Sequence, residues 1–300
     1  MHDVICMGEA MVELSLASDP GGRAAVGFAG DTLNTAIYLK RQAPDLSIAY
    51  ATCLGSDPLS DQMIAMMQDE GLDTTLIARH DSRLPGLYAI STDGQGERSF
   101  YYWRDNSAAR EMLSPGHLGL EAIARGRILY LSAITLAILP AAHRQALFDW
   151  LPVWRQAGGT FAFDSNYRPR LWPDQATAQA AVEAAWRQTD IALPSVDDEM
   201  ALFGDATEAD VLARLKHFGA TSGALKRGPL GPLALDGSPA GPFPPADRVI
   251  DSTAAGDSFN AGYLAARISG KPEAEALQAG HALASRVVGA KGAILPRTAA

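Results

Sequence analysis

Cysteine is scarce in this chain: Cys6 and Cys53 are the only two. Each lies in a short apolar run, so both read as buried, reduced thiols, and a disulfide scaffold is excluded. The histidines, His2, His80, His117, His143, His217 and His281, are scattered without close cysteine or acidic neighbours at ligand spacing, which argues against a tightly held transition metal. Positive charge is also in deficit. The formal net charge of −9 gives no basic footprint for nucleic acid or an anionic membrane surface. No apolar run approaches a membrane span, and no basic segment leads into an apolar one at the N-terminus, so a cytoplasmic protein is expected. Two phosphate-binding loops are missing as well. There is no G-x-x-x-x-G-K-[ST], which removes the P-loop class, and no G-x-G-x-x-G follows the first apolar run, which leaves a nicotinamide dehydrogenase as a weaker third reading.

What is present suits a large α/β domain: 47% hydrophobic residues over 300 positions, enough for one extensive core. Short apolar runs alternate with amphipathic stretches, the pattern of a mainly parallel sheet covered by helices. Strands are predicted near Val4–Met7, Ser47–Cys53, Arg127–Ser132, Thr160–Asp164, Asp190–Leu193 and Gly223–Lys226. Helices are predicted near Thr32–Gln42, Leu59–Glu70, Ala141–Ala157, Thr177–Gln188, Thr207–Phe218, Gly256–Ile268 and Pro272–Val288. Met63, Met66 and Met67 read as core filling. One region breaks the alternation. Gly86–Ser91 and Arg98–Trp103 read as a hairpin joined by the polar turn Asp93-Gly94-Gln95-Gly96-Glu97, carrying Tyr88, Tyr101, Tyr102, Trp103 and Arg104. Such an insertion is a lid over a site, a dimer contact, or both. No linker divides the chain, so residues 1–300 are taken as a single domain with this lid near 85–104.

The segment Asp251-Ser252-Thr253-Ala254-Ala255-Gly256-Asp257 runs straight into a predicted helix. Ala254, Ala255 and Gly256 let a ligand approach the backbone, and the N–H groups opening the helix suit an anionic phosphate. Asp257 beside that anion is poorly placed to bind it and well placed to take a proton from an attacking hydroxyl. The pair of features describes a kinase. Gly27-Phe28-Ala29-Gly30-Asp31-Thr32-Leu33-Asn34 again sets small residues before a helix, with Asp31 or Thr32 as N-cap. Asp31 and Asn34, one turn apart, would grip a pair of polyol hydroxyls. A third run, Asp164 to Trp172, follows a strand end, where open parallel sheets bind ligands. There Arg168 would pair with a carboxylate or steady a phosphate, and Arg104 on the hairpin would meet it from above. Together with Tyr88 and Tyr102, these arginines favour an acidic sugar.

The Asp251–Asp257 run resembles the C-terminal signature of the PfkB (ribokinase-like) carbohydrate kinases, D-T-x-G-A-G-D, with Ser252 in the Thr place and Ala254 in the first Gly place. The Gly27–Asn34 run is similar to the family's other signature, G-G-x-x-x-N, with Ala29 in the first Gly place. The resemblance implies a ribokinase-like three-layer α/β fold with a mainly parallel sheet and a small β lid. It further implies ATP and Mg²⁺, Asp257 as catalytic base, and an anion hole at Ala254, Ala255 and Gly256. Gly30, Asp31, Asn34, Tyr88, Tyr102, Arg104, Arg168 and Asp251 fall to the sugar acid by the same resemblance. Asn166, Ser195, Lys226, Gly228, Gly231 and His281 fall to the nucleotide, along with the Ala254 and Gly256 backbone. Asp198 would organise Mg²⁺ through water. The expected partners are therefore a sugar acid and ATP in a homo-oligomer. A neutral-sugar kinase of the same fold, such as a fructokinase, and a sugar-acid binding protein without catalysis are the alternatives.

Overall fold

A computed structural model describes residues 1–16, 22–92 and 98–297. The strands are β1 (His2–Met7), β2 (Met11–Ser15), β3 (Ala25–Ala29), β4 (Ile48–Gly55), β5 (Ile77–His80), β6 (Gly86–Thr92), β7 (Arg98–Trp103), β8 (Gly126–Ser132), β9 (Thr160–Asp164), β10 (Ile191–Leu193), β11 (Ala224–Leu225) and β12 (Leu233–Ala234). The helices are α1 (Asp31–Gln42), α2 (Pro58–Asp69), α3 (Leu120–Ile123), α4 (Ala133–Ile138), α5 (Ala141–Gln156), α6 (Gln175–Trp186), α7 (Val196–Phe203), α8 (Glu208–Phe218), α9 (Ala255–Ile268) and α10 (Glu273–Val287).

Six strands form one sheet in the order β10-β9-β8-β1-β4-β5, every neighbouring pair parallel. Successive residues of its central strands enter different cores. Ile5 and Met7 of β1 pack with Ala51, Leu129, Leu131, Phe161 and Phe163 toward α4 to α8. Val4 and Cys6 pack with Tyr50, Tyr130 and Ala162 toward α1, α2, α9 and α10. Burial on both faces explains why these strands are near-continuous apolar runs without polar alternation. The sheet is the middle of three layers. Cys6 and Cys53 are both free and buried in it, and Met63 and Met67 fill the second core. Among the described residues, no helix is long and apolar enough to cross a membrane.

The predicted hairpin is present as β6 and β7, paired antiparallel with Tyr88 opposite Tyr102; its turn, Asp93 to Glu97, lies outside the described residues. It is part of something larger. Strands β2 and β3 extend it into a four-stranded sheet ordered β3-β2-β6-β7, in which β2 runs parallel to β6. Neither β2 nor β3 was expected as a strand from the sequence. Because β2 leaves the end of β1 after only Gly8, Glu9 and Ala10, the lid is rooted at the carboxyl edge of the central sheet. Helices α4 and α7 were also not predicted; both are short and follow directly from strand ends.

Candidate active site

Helix α9 begins at the turn anticipated from the small-residue run. Its N-cap is Ala254, in the left-handed region with φ 61° and ψ 16°. The turn is tied in place from upstream. The Asp251 carboxylate accepts hydrogen bonds from the Thr253 N–H (3.0 Å), the Thr253 hydroxyl (2.7 Å) and the Gly292 N–H (2.8 Å), so the first acid of the segment shapes the loop. Ala255 donates its N–H to the Ser252 carbonyl at 3.2 Å, and helix geometry leaves the N–H groups of Gly256 and Asp257 without intrahelical acceptors. A Cβ built on Gly256 would lie 3.6 Å from Lys226 Nζ, so an ammonium stands beside this helix end. Backbone N–H groups, the positive end of the dipole and a lysine together fit a phosphate.

Asp257 is buried in the first turn of α9, and Asn34 Nδ2 donates to its Oδ2 at 2.8 Å. Burial, followed by the negative charge of Asp31, pushes its carboxyl up to about 8; the Asn34 hydrogen bond and Lys226 act in the opposite direction. A carboxylate that exchanges its proton near neutrality is suited to general-base work.

The N-terminal element differs in one detail from the expectation. The N-cap of α1 is Gly30, with extended backbone, and Asp31 is the first helical residue. Glycine is required at 30 by space: a Cβ there would lie 2.2 Å from the Glu9 carbonyl oxygen. Asp31 and Asn34 do not form one paired grip. Asp31 Oδ2 accepts from Ser132 Oγ and from Asn166 Nδ2 (2.9 Å), while Asn34 turns to Asp257. Lys226, predicted for the nucleotide, donates to Asp164 Oδ1 (2.7 Å) and Asn260 Oδ1 (3.2 Å), and Asn260 Nδ2 reaches Asp164 Oδ2 (2.8 Å) and the Tyr130 hydroxyl (3.0 Å).

Sequence reasoning gave no role to Ser132, Asp164, Asn260, Tyr130 or Glu9. The available signals were positional: Asp164 and Ser132 end strands β9 and β8, and Asn260 lies one helical turn beyond Asp257 on α9.

The two arginines expected to meet are each paired to a separate acid. Arg104 is buried at the root of the lid with its Nη2 on Glu9 Oε2, while Glu9 Oε1 and Arg104 Nε are buried without partners. Arg168 is half exposed, with Nη1 on the Tyr167 carbonyl (2.8 Å) and 3.5 Å from Asp198 Oδ1. Burial pushes the Asp198 carboxyl up, against the pull of Arg168. On the lid, the Tyr88 hydroxyl donates to Glu13, and its ring stacks on Tyr102 at 5.8 Å. Ser195 caps α7 and donates its N–H to Ser165 Oγ (2.9 Å). Gly228 and Gly231 flank a short turn, with Gly231 at φ 76°. His281 Nε2 contacts the Pro244 carbonyl (2.6 Å), and its ring lies 5.2 Å from Phe243. Among the described residues, no group of three or more His, Cys, Asp or Glu is gathered to hold a metal.

Open-sheet fold, anion-binding helix end and buried carboxylate define a phosphoryl-transfer enzyme built on a doubly wound sheet. The model of the pfkB family carbohydrate kinases matches residues 1–300, and the chain belongs to that family. It is 43% identical over 305 aligned positions to 2-dehydro-3-deoxygluconokinase of Escherichia coli (strain K12), covering 99% of this chain and 98% of that protein. In structure it is similar to a 2-dehydro-3-deoxygluconokinase from Thermotoga maritima, with TM-score 0.85 and 21% identity over 98% of this chain and 96% of that one. A fructokinase from Xylella fastidiosa solved with bound ATP superposes with TM-score 0.82 at 21% identity, covering 100% of this chain and 95% of that one. The fold is ribokinase-like and the protein is a carbohydrate kinase.

Proposed function

We propose that this kinase transfers the γ-phosphoryl group of ATP to the terminal hydroxyl of 2-keto-3-deoxygluconate, giving 2-keto-3-deoxy-6-phosphogluconate. The observation that carries the chemistry is Asp257, a buried carboxylate with a pKa raised toward neutrality, in the first turn of a helix whose N-terminus faces Lys226. The 43% identity to an enzyme named for this substrate supports the sugar acid over a neutral sugar.

In this reading Asp257 accepts the proton of the attacking hydroxyl. The Gly256 and Asp257 N–H groups, the Ala254–Ala255 turn and Lys226 offset charge on the transferring group. Asp198 would hold Mg²⁺ through water, and the ion would supply positive charge to offset that of the phosphates. Asn166, Ser195, Gly228, Gly231 and His281 line the nucleotide side. Gly30, Asp31, Tyr88, Tyr102 and Asp251 enclose the sugar. Arg168 is the arginine free to reach a substrate carboxylate, because it is half exposed and lies 3.5 Å from Asp198, whereas Arg104 is buried against Glu9. A homo-oligomer in which the lid takes part suits the exposed aromatics of β7.

The deciding measurement is ADP release with ATP and Mg²⁺ across keto-deoxy sugar acids, fructose and ribose. The sugar acid is expected to have the highest kcat/KM. Equal or better turnover of fructose would move the assignment to the neutral-sugar kinases, and absence of ADP release with every sugar would remove catalysis.

A further inference from the structure

We propose that Asp164 and Asn260 are positioning residues that aim the ammonium of Lys226 at the transferring phosphoryl group, acting from β9 and α9 through this one lysine. The inference rests on the reading of the α9 N-terminus as the phosphoryl-transfer site and deepens it, by giving the charge beside that helix end a built support.

Three elements make the support. Lys226 directly follows β11, and its main chain is pinned on both sides: its N–H donates to the Pro194 carbonyl (2.8 Å), and its carbonyl accepts from the Val196 N–H (2.9 Å). Its side chain is buried, with Nζ on Asp164 Oδ1 at 2.7 Å and on Asn260 Oδ1 at 3.2 Å. The Asn260 amide is oriented by its other contacts. Its Nδ2 donates to Asp164 Oδ2 (2.8 Å) and to the Tyr130 hydroxyl (3.0 Å), which leaves Oδ1 turned to the lysine. An ammonium carries three N–H groups. Two are taken by Asp164 and Asn260, and with Nζ only 3.6 Å from where a Cβ on Gly256 would lie, the third is available beside the α9 N-terminus. A buried ion pair gives a fold little that an apolar pair would not, because desolvation offsets the attraction. Beside unpaired helix N–H groups it does something else, keeping a positive charge in a fixed place that need not reorganise during phosphoryl transfer. Asp164 also opposes ionisation of Asp257, whereas Lys226 favours it. An effect of Asp164 exerted through the base would therefore have the opposite sign to one exerted through the lysine.

The test is a double-mutant cycle between Asp164→Asn and Lys226→Met, assayed with whichever sugar the wild-type enzyme phosphorylates, so that an error in the substrate assignment leaves it intact. Turnover is compared on the plateau of each pH–rate profile, where the protonation of Asp257 no longer enters. Lys226→Met should lower kcat by about 10²- to 10³-fold, the range for removing one preorganised donor to developing charge. Asp164→Asn should lower it by about 10- to 100-fold, as for a lost charge-assisted hydrogen bond. The double variant should be no slower than Lys226→Met alone, because Asp164 has nothing to aim once the ammonium is gone. Affinity for ADP, which lacks the transferring group, should stay within about threefold of wild type in all three. Asn260→Ser, which leaves the ion pair in place, should lower kcat by about three- to tenfold. Losses that multiply in the double variant would show that Asp164 acts independently of the lysine and overturn the proposal. Wild-type kcat in Lys226→Met or Asp164→Asn, or faster turnover of Asp164→Asn at pH 7, would overturn it equally. If either single charge variant does not fold, the double variant, which removes both charges together, becomes the background. Asn260→Ser should then cost nothing further there, and a loss as large as in the wild-type enzyme sinks the idea.

Discussion

The floor of the site and its lid are built on opposite principles. On the floor, Asp31, Asn34, Asp164, Asn166, Lys226, Asp257 and Asn260 are buried or nearly so and hydrogen-bonded to one another across α1, β9 and α9. On the lid, Tyr101, Tyr102 and Trp103 stand 51–62% exposed on edge strand β7, and the contacts are stacked rings and a buried ion pair at the root. Phosphoryl transfer needs groups that do not reorganise when charge develops, which a satisfied buried network provides. If substrate capture uses a surface that opens and closes, the four-stranded sheet rooted at one edge of the core is the element to do it.

The contrast predicts that damage to the floor costs turnover and damage to the lid costs recognition. The largest effect is expected for Asp257→Asn: a fall in kcat of about 10²–10⁴ with nucleotide binding retained, read by steady-state kinetics and nucleotide titration. The same change should stabilise the fold. Because the folded-state carboxyl is raised to about 8 from an ordinary 3.8, the native protein binds the proton more tightly than the unfolded chain, and its stability falls as pH climbs from about 4 to about 8. Asn carries no such penalty. Its advantage over wild type in thermal unfolding should therefore be absent near pH 4 and grow to a few degrees by pH 8. Near-normal turnover would show that Asp257 is not the base, and a stability gap that does not depend on pH would show that its carboxyl is not raised in the folded protein.

Next come the two arginines, which separate recognition from architecture. Arg168→Leu should lower kcat/KM for the sugar acid by roughly 10- to 150-fold, the equivalent of one charge-assisted hydrogen bond, and change a neutral sugar far less, with little effect on stability. Arg104→Leu strands the buried Glu9 carboxylate and should cost about 3 kcal/mol of folding stability, visible in denaturant unfolding. If the two variants behave alike in both assays, lid root and substrate contact are not distinct.

Smaller still is the protection expected on the lid. Saturating substrate should slow hydrogen exchange of the amides in β6 and β7 several-fold while leaving the central sheet unchanged. Unaltered exchange would make the lid a static element. The smallest effect concerns Ala254, whose φ of 61° is costly for any residue with a Cβ. Ala254→Gly should relieve about 1 kcal/mol of strain, partly offset by the greater freedom of glycine in the unfolded chain, for a net change of a few tenths of a kcal/mol in unfolding and almost none in kcat.

Legibility in the sequence followed the same division. Strand β9 and the helices over Ala141 and Gly256 were readable to within a residue or two because a two-sided buried sheet imposes uninterrupted apolar runs and its helices show regular periodicity. The turn before α9 was readable from its small residues, but an acid in a first helical turn is common for dipole reasons alone, and the family resemblance gave it a function. Strands β2 and β3 were not: Glu13 and Ser15 interrupt the apolar pattern of β2, which pairs in parallel with β6 some 75 residues further along. The pairing of Arg104 with Glu9, the turn of Asn34 toward Asp257 and the Lys226–Asp164–Asn260 cluster were also out of reach. Each depends on which neighbour a polar atom meets after folding, and spacing in one chain does not encode it. The resemblance of the signatures supplied residue identities, and only the packing of α1 against α9 supplied their partners.

That packing also sets an order of assembly. The hydrogen bond between Asn34 and Asp257 closes a loop of 223 residues, and the Tyr38 hydroxyl of the same helix receives the Leu295 N–H at 2.9 Å. During synthesis at about 5–20 residues per second, α1 waits about 10–45 s for α9 to be made. Through that interval Asn34 Nδ2 and the Tyr38 hydroxyl lack the partners they hold in the folded protein. The floor of the proposed site is therefore among the last parts of the molecule to form, and a nascent chain halted before α9 would carry its sheet and lid strands without Asp257 and its partners.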